Sequence, residues 1–101
     1  LIKSRAYLIS PAEVEAATMD HPAVLESGVV GVPDEVMGKR VKAFIVLKSG
    51  YEPSDALMED IIKKCKEIIA PFKVPKEIEF VSELPKTATG KIMRRRLRGE
   101  S

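Results

Sequence analysis

Cysteine occurs once in the 101 residues, at Cys65. No disulfide can therefore close within the chain, which fits a reducing compartment. No apolar run approaches the ~18 residues that a membrane span needs, and no signal-peptide pattern opens the chain. The expected location is the cytoplasm, or the mitochondrial matrix for a eukaryotic source. Net charge is scarce. Seventeen Lys and Arg against fifteen Asp and Glu leave +2, too little to argue for a nucleic-acid partner. Aromatic residues are few, and Tyr7, Phe44, Tyr51, Phe72 and Phe80 fall mostly in core-like places rather than where bases would stack. There is no internal repeat and no low-complexity linker. An initiator Met is missing as well, and Leu1-Ile2-Lys3 reads like a cut made inside a longer protein.

What is present is a globular composition. Hydrophobic residues make up 45% and charged residues 32%, which separates the chain from disordered sequences. The length fits one small domain. Residues 2–9 alternate loosely and predict a hairpin. Ser10 is placed as an N-cap, Pro11 suits the first helical position, and Glu13 sits where a capping box needs it. Ile9 and Val14 are spaced for a hydrophobic staple. The helix is expected over 11–19, ended by His21-Pro22. A strand over 24–32 follows, with Gly28 at a bulge or a close contact. Pro33-Asp34 should break it, and Gly38 marks the next turn.

Residues 41–47 are apolar almost without interruption, the pattern of a central strand covered on both faces. Ser54 and Asp55 can cap a second helix. Its stripe is Leu57, Met58, Ile61, Ile62, Cys65, Ile68 and Ile69, and Pro71 ends it. A short strand over 78–81, a polar loop over 86–90 and a basic helix from Ile92 or Met93 complete the order. The fold class expected is α+β, a small sheet covered by helices, with an N-terminal β-hairpin.

Chemistry is concentrated near the end. Lys86, Lys91, Arg94, Arg95, Arg96 and Arg98 follow one another with no acid until Glu100, so a local positive field is expected there. In Pro85-Lys86-Thr87-Ala88-Thr89-Gly90-Lys91, the residues Thr87, Thr89 and Gly90 make a flexible polar turn able to approach another molecule closely. Lys91 then projects a compact cation suited to phosphate oxygens. The glycine spacing of a Walker loop is absent. Taken alone, a basic loop of this kind is more often plain solvated surface. His21, Glu13 and Cys65 read as structural, and no metal-ligating set is expected.

This segment, continued by Ile92-Met93-Arg94-Arg95, resembles the last core motif of the adenylate-forming (AMP-binding) enzymes. Other segments resemble the same family in order along nearly the whole chain. They are Ile2-Lys3, Tyr7, Ile9-Ser10-Pro11-Ala12-Glu13-Val14-Glu15, His21-Pro22-Ala23-Val24, Val30-Gly31-Val32-Pro33-Asp34, Val41-Lys42-Ala43-Phe44, Ala70-Pro71-Phe72-Lys73-Val74-Pro75 and Ile78-Glu79-Phe80-Val81. The similarity is greatest to the acetyl- and medium-chain acyl-CoA synthetases.

The resemblance implies that residues 1–101 form the mobile C-terminal domain of such an enzyme, whose large N-terminal domain with the ATP loop and acyl pocket is not in this sequence. It implies two steps. A carboxylic acid and ATP, with Mg2+, give an acyl-adenylate, and CoA then gives the thioester. Lys91 would serve the first step, with Thr87, Thr89 and Gly90 near the nucleotide. After the domain rotates, the hairpin residues Arg5, Ala6, Tyr7 and Leu8 would face CoA, with Lys66 near its nucleotide phosphates. No cofactor would bind tightly to this domain, and the fragment would be inactive alone. The spacing around Lys91 also resembles the site that protein acetyltransferases modify in this family.

Three positions depart from the family. Ala6 stands where it usually has Gly, Leu8 where it usually has Arg, and Met37 where relatives often carry Arg. These departures bear on the CoA step rather than on the first. Two other functions remain open at this point. One is an adenylation domain that loads a carrier protein. The other is a stand-alone module whose basic end binds nucleic acid, which the single clustered patch disfavours.

Overall fold

The computed structural model describes residues 1–99; Glu100, the acid expected to end the basic stretch, lies outside them. The chain opens with a hairpin of β1 (Ile2–Ser4) and β2 (Tyr7–Ile9), joined by Arg5 and Ala6. Helix α1 (Pro11–Met19) follows, with Ser10 Oγ accepting from the Glu13 N–H at 3.5 Å. Ile9 and Val14 are fully buried at the staple positions. The capping box is half-made, because the Glu13 carboxylate turns away from Ser10 to Lys73 Nζ at 3.0 Å.

Strands β3 (Val24–Asp34) and β4 (Gly38–Leu47) pair antiparallel. Both run further than the sequence predicts, through Pro33 and down to Gly38. Pro33 is tolerated because β3 is an edge strand and can lack an N–H. Helix α2 (Asp55–Ile68) is capped by Ser54, whose Oγ accepts from the Leu57 N–H at 3.0 Å. A 3-10 turn (Pro71–Lys73) leads into β5 (Glu77–Phe80), which lies parallel to β4. The sheet order β3-β4-β5 makes β4 central, as its two-faced apolarity requires. A single short helix, α3 (Arg94–Leu97), follows the Lys91 segment.

Alternation along the strands sorts the interior into two layers. Val29, Val41, Ala43, Ile45 and Ile78 face one side and pack with Val14, Ile61, Ile2 and Ile9. Val30, Phe44 and Val46 face the other side and pack with Leu84, Ile92 and Leu97. The first layer is covered by the N-terminal hairpin, α1 and α2, and the second by the C-terminal segment. Each fully buried Val or Ile contributes ~1.5–3 kcal/mol on transfer from water. Of the α2 stripe, Ile61 and Cys65 are buried, while Ile68 lies outside it and is half exposed. Among the described residues, no helix is long and apolar enough to cross a membrane.

Gly28 serves a close contact and not a bulge, since the register shift of β3 lies between Val24 and Glu26. A Cβ on Gly28 would stand 2.7 Å from Leu97 Cδ1. Gly31, on the opposite face, does the same for the other layer, where a Cβ would stand 2.7 Å from Ile2 Cγ2.

Candidate functional site

The loop expected as a flexible turn is a built hairpin. Lys86 and Ile92 form an antiparallel bridge. Thr87 N–H donates to the Lys91 carbonyl at 2.8 Å, Gly90 N–H to the Thr87 carbonyl at 2.9 Å, and Met93 N–H to the Pro85 carbonyl at 2.8 Å. This is a turn through Ala88 and Thr89 closed by a residue in the left-handed region, which Gly90 occupies at φ +87°. Thr87 Oγ1 lies 3.0 Å from Thr89 Oγ1 and accepts from the Lys91 N–H at 3.1 Å. The tip is thus ordered by its own hydroxyls, and Lys91 stands exposed at its base.

Its neighbours are neutralised. Lys86 pairs with Glu26. Arg94 forks onto Glu15, with Nη2 at 2.6 Å from Oε1 and Nε at 3.0 Å from Oε2. Glu15, which nothing in the local sequence marks as buried, is only 9% exposed. Its Oε2 also accepts the Val29 N–H of the sheet edge at 2.9 Å. The basic stretch is therefore not one uniform solvated face. Among the described residues no carboxylate pairs with Lys91 in an ion pair.

Arg5, Ala6, Tyr7 and Leu8 lie together at and beside the tip of the N-terminal hairpin, all exposed. Arg5 N–H donates to the Met37 carbonyl at 2.8 Å, which docks the tip on the β3–β4 turn. Tyr7 stacks on Phe72, with ring centroids 4.1 Å apart and planes at 20°. Around this pair is a groove of about 320 Å³ lined by Ser4, Arg5, Tyr7, Met37, Pro71, Phe72 and Lys76. Lys76 adds a cation that sequence reading overlooked. Lys66 is exposed on α2 and does not line this groove.

The β3–β4 turn is itself held by charge. Asp34 Oδ1 accepts from the Met37 and Val36 N–H groups at 2.8 and 2.9 Å. Those two bonds hold its carboxyl below the ordinary 3.8, against some desolvation and with help from Arg40 and Arg5. Arg40 donates to the Pro33 carbonyl at 2.6 Å and to Glu77 Oε1 at 2.9 and 3.1 Å. The Arg40 bond pulls Glu77 below its ordinary 4.5; burial opposes this and Lys42 assists. Burial pulls the Lys42 ammonium down, but Glu79 and Glu77 outweigh it and leave it above 10.5.

The residues read as structural behave so. His21 is buried; its Nδ1 accepts from the Ala23 N–H at 3.0 Å and its Nε2 lies 2.6 Å from Asp60 Oδ2. Burial pushes the Cys65 thiol up to about 11, so it carries no thiolate near neutrality. Among the described residues, no group of three or more His, Cys, Asp or Glu side chains is placed to hold a metal ion.

Two hairpins, one per face of a three-stranded mixed sheet, are a geometry that known proteins share. The structure superimposes on an acyl-CoA synthetase from Brucella canis with a TM-score of 0.94 and 44% identity, over 98% of this chain and 18% of that one. It also matches the anthranilate CoA ligase AuaEII, solved with anthranoyl-AMP, with a TM-score of 0.84 and 52% identity, over 90% of this chain and 18% of that one. In sequence it is 56% identical over 98 residues to 4-hydroxybutyrate–CoA ligase 1 of Metallosphaera sedula. That match takes in 97% of this chain but 17% of the ligase, so the chain spans about one-sixth of such relatives. Residues 13–91 match the AMP-binding enzyme C-terminal domain, and the chain belongs to that family.

Proposed function

We propose that this chain is the C-terminal domain of an acid–CoA ligase, and that Lys91 serves its adenylation step. In that step a carboxylate oxygen attacks the α-phosphorus of ATP. The bond to the bridging oxygen breaks, and pyrophosphate leaves; a Mg2+ ion carried by the nucleotide would neutralise part of its charge. In the second step the CoA sulfur attacks the acyl carbonyl, loses its proton and displaces AMP. A cation set against the phosphate oxygens stabilises the charge that builds there during the first step.

One observation carries the assignment. Lys91 projects from an ordered hairpin, and among the described residues it has no ion-pair partner, whereas Lys86 and Arg94 on either side are each held by a carboxylate. Its charge is open to an anion outside the domain. Thr87, Thr89 and Gly90 shape the turn that would lie beside the nucleotide. The second step would use the opposite face, where Arg5, Ala6, Tyr7 and Leu8 meet CoA, with Lys66 further along that side. Such a change of face requires the domain to rotate against its own N-terminal domain, which makes that domain its principal partner.

The test is the full-length protein carrying Lys91→Ala. Adenylation should fall about 10²-fold or more, the scale of losing one electrostatic stabiliser. Thioester formation from synthetic acyl-adenylate should change far less. Equal loss in both half-reactions would contradict the assignment. The exposed Lys91 is also open to a protein acetyltransferase, and stoichiometric acetylation should mimic Lys91→Ala in the same assay, because it removes the same charge.

A further inference from the structure

We propose that Glu15 is a positioning residue that sets the place of Lys91 through Arg94. The proposal rests on the role given to Lys91 above. Three bonds converge on the Glu15 carboxylate, from the Val29 N–H at 2.9 Å and from Arg94 Nε and Nη2 at 3.0 and 2.6 Å. They tie together α1, the free edge of β3 and the first residue of α3. Glu15 is nine-tenths buried, so the pair is screened far less than a surface ion pair.

Only Ile92 and Met93 separate Lys91 from Arg94, and both are already fixed. Ile92 bridges to Lys86, and the Met93 N–H is bonded to Pro85. There is no slack in which a movement of Arg94 could be lost before it reached Lys91. On the other leg Lys86 pairs with Glu26, through a compact ammonium that fixes no direction. Leu84 in the core and Leu97 over Gly28 are apolar and hold the segment down, again without fixing its direction. A planar guanidinium on a carboxylate does fix direction. The latch thus supplies the orientation that apolar packing cannot. Glu15 also follows closely on the N-terminal hairpin in sequence, so one residue joins the two functional ends of the domain.

Two variants test this. Glu15→Gln keeps an acceptor for Val29 and presents an amide to Arg94. Arg94→Lys keeps the charge and loses the fork, and it leaves Glu15 bonded to Val29 should the first variant fold poorly. In this chain, amide hydrogen exchange at Thr87 and Met93 should speed up about tenfold or more in either variant, the scale of one charge-assisted bond lost. Exchange along β4 should hold. Unchanged exchange at Thr87 and Met93, or an equal rise along β4, would overturn the proposal.

In the full-length protein, Glu15→Gln should slow adenylation, spare thioester formation, and add nothing in a Lys91→Ala background. An equal added loss in that background would mean that Glu15 acts elsewhere, and would also overturn the proposal. If Lys91→Ala itself left adenylation intact, the role given to Lys91 would fail, while exchange would still decide whether Glu15 orders the hairpin.

Discussion

The hairpin of β1 and β2 turns through Arg5, a non-glycine residue at φ +55°, whereas the hairpin around Lys91 turns through Gly90 at φ +87°. The first is strained at its tip and the second is not. They also differ in how they are held. The Lys91 hairpin is tied at both legs by ion pairs, Lys86 to Glu26 and Arg94 to Glu15. The N-terminal hairpin buries Ile2 and Ile9 and holds its tip through a backbone bond, Arg5 N–H to Met37, and the stack of Tyr7 on Phe72. It leaves Leu8 63% exposed. The hairpin around Lys91 is braced by charge at both legs. The N-terminal hairpin is braced at its tip by a backbone bond and a ring stack, and leaves Arg5, Ala6 and Leu8 exposed.

The two glycines of β3 make this comparison testable at equal distance. Gly31 sits under the N-terminal hairpin and Gly28 under the C-terminal segment, each 2.7 Å from a side chain once a Cβ is added. The obstacle at Gly31 is Cγ2 of a β-branched Ile2 with little room to turn. The obstacle at Gly28 is the far end of Leu97, which can swing away. Gly31→Ala should therefore cost about 1–3 kcal/mol in urea melting, and Gly28→Ala less than that. The reverse order would show that Leu97 has less room to move over Gly28 than Ile2 has over Gly31.

A second, smaller effect concerns acid. Glu77 and Asp34 both have carboxyls held below their ordinary values, and both support the turn on which Arg5 docks. A depressed folded value means stability that is present above the ordinary values of 4.5 and 3.8 and lost as pH falls through the lower folded ones. Lys42 contributes in the opposite sense: its support is whole below 10.5 and lost as pH rises through its raised folded value. Urea midpoints measured from pH 5 downward should fall less steeply in Glu77→Gln than in the unaltered chain. Parallel acid limbs would remove Glu77 from the account.

The smallest effect is at the strained tip. Asn tolerates the left-handed region better than Arg. Arg5→Asn should raise stability by up to about 1 kcal/mol, and the same substitution at Gly90 should lower it. A gain at Gly90 would mean that its turn does not need glycine.

Much of this arrangement was legible in the chain itself. Ser10-Pro11 and Ser54 announce their helices, and the unbroken apolar run into Leu47 places β4 in the middle. The parallel pairing of β5 was not legible, because four residues carry no sign of their partner's direction. The extension of β3 through Pro33 was hidden for another reason: proline breaks strands in general and is permitted only at an edge, and being an edge is a tertiary property. The Lys91 loop showed its turn residues but not the Lys86–Ile92 bridge that orders them. Glu15 was hidden most deeply. A carboxylate in a short helix reads as solvated, and the guanidinium that buries it lies 79 residues away. The α2 stripe located Cys65 correctly, while Ile68 shared its spacing and still faces outward, since the helix ends there.

The central claim is that the two hairpins serve different half-reactions from opposite faces of one sheet. Single-turnover measurement of both half-reactions in the full-length protein tests it most directly, comparing Lys91→Ala with Ala6→Gly combined with Leu8→Arg. A crossed result is expected. Lys91→Ala should slow adenylation and spare thioester formation, while the hairpin pair should speed thioester formation and leave adenylation nearly unchanged. Gly would clear a methyl from the path of the CoA arm, and Arg would supply a cation for its phosphates. A faster adenylation step with no gain in CoA transfer would contradict the claim.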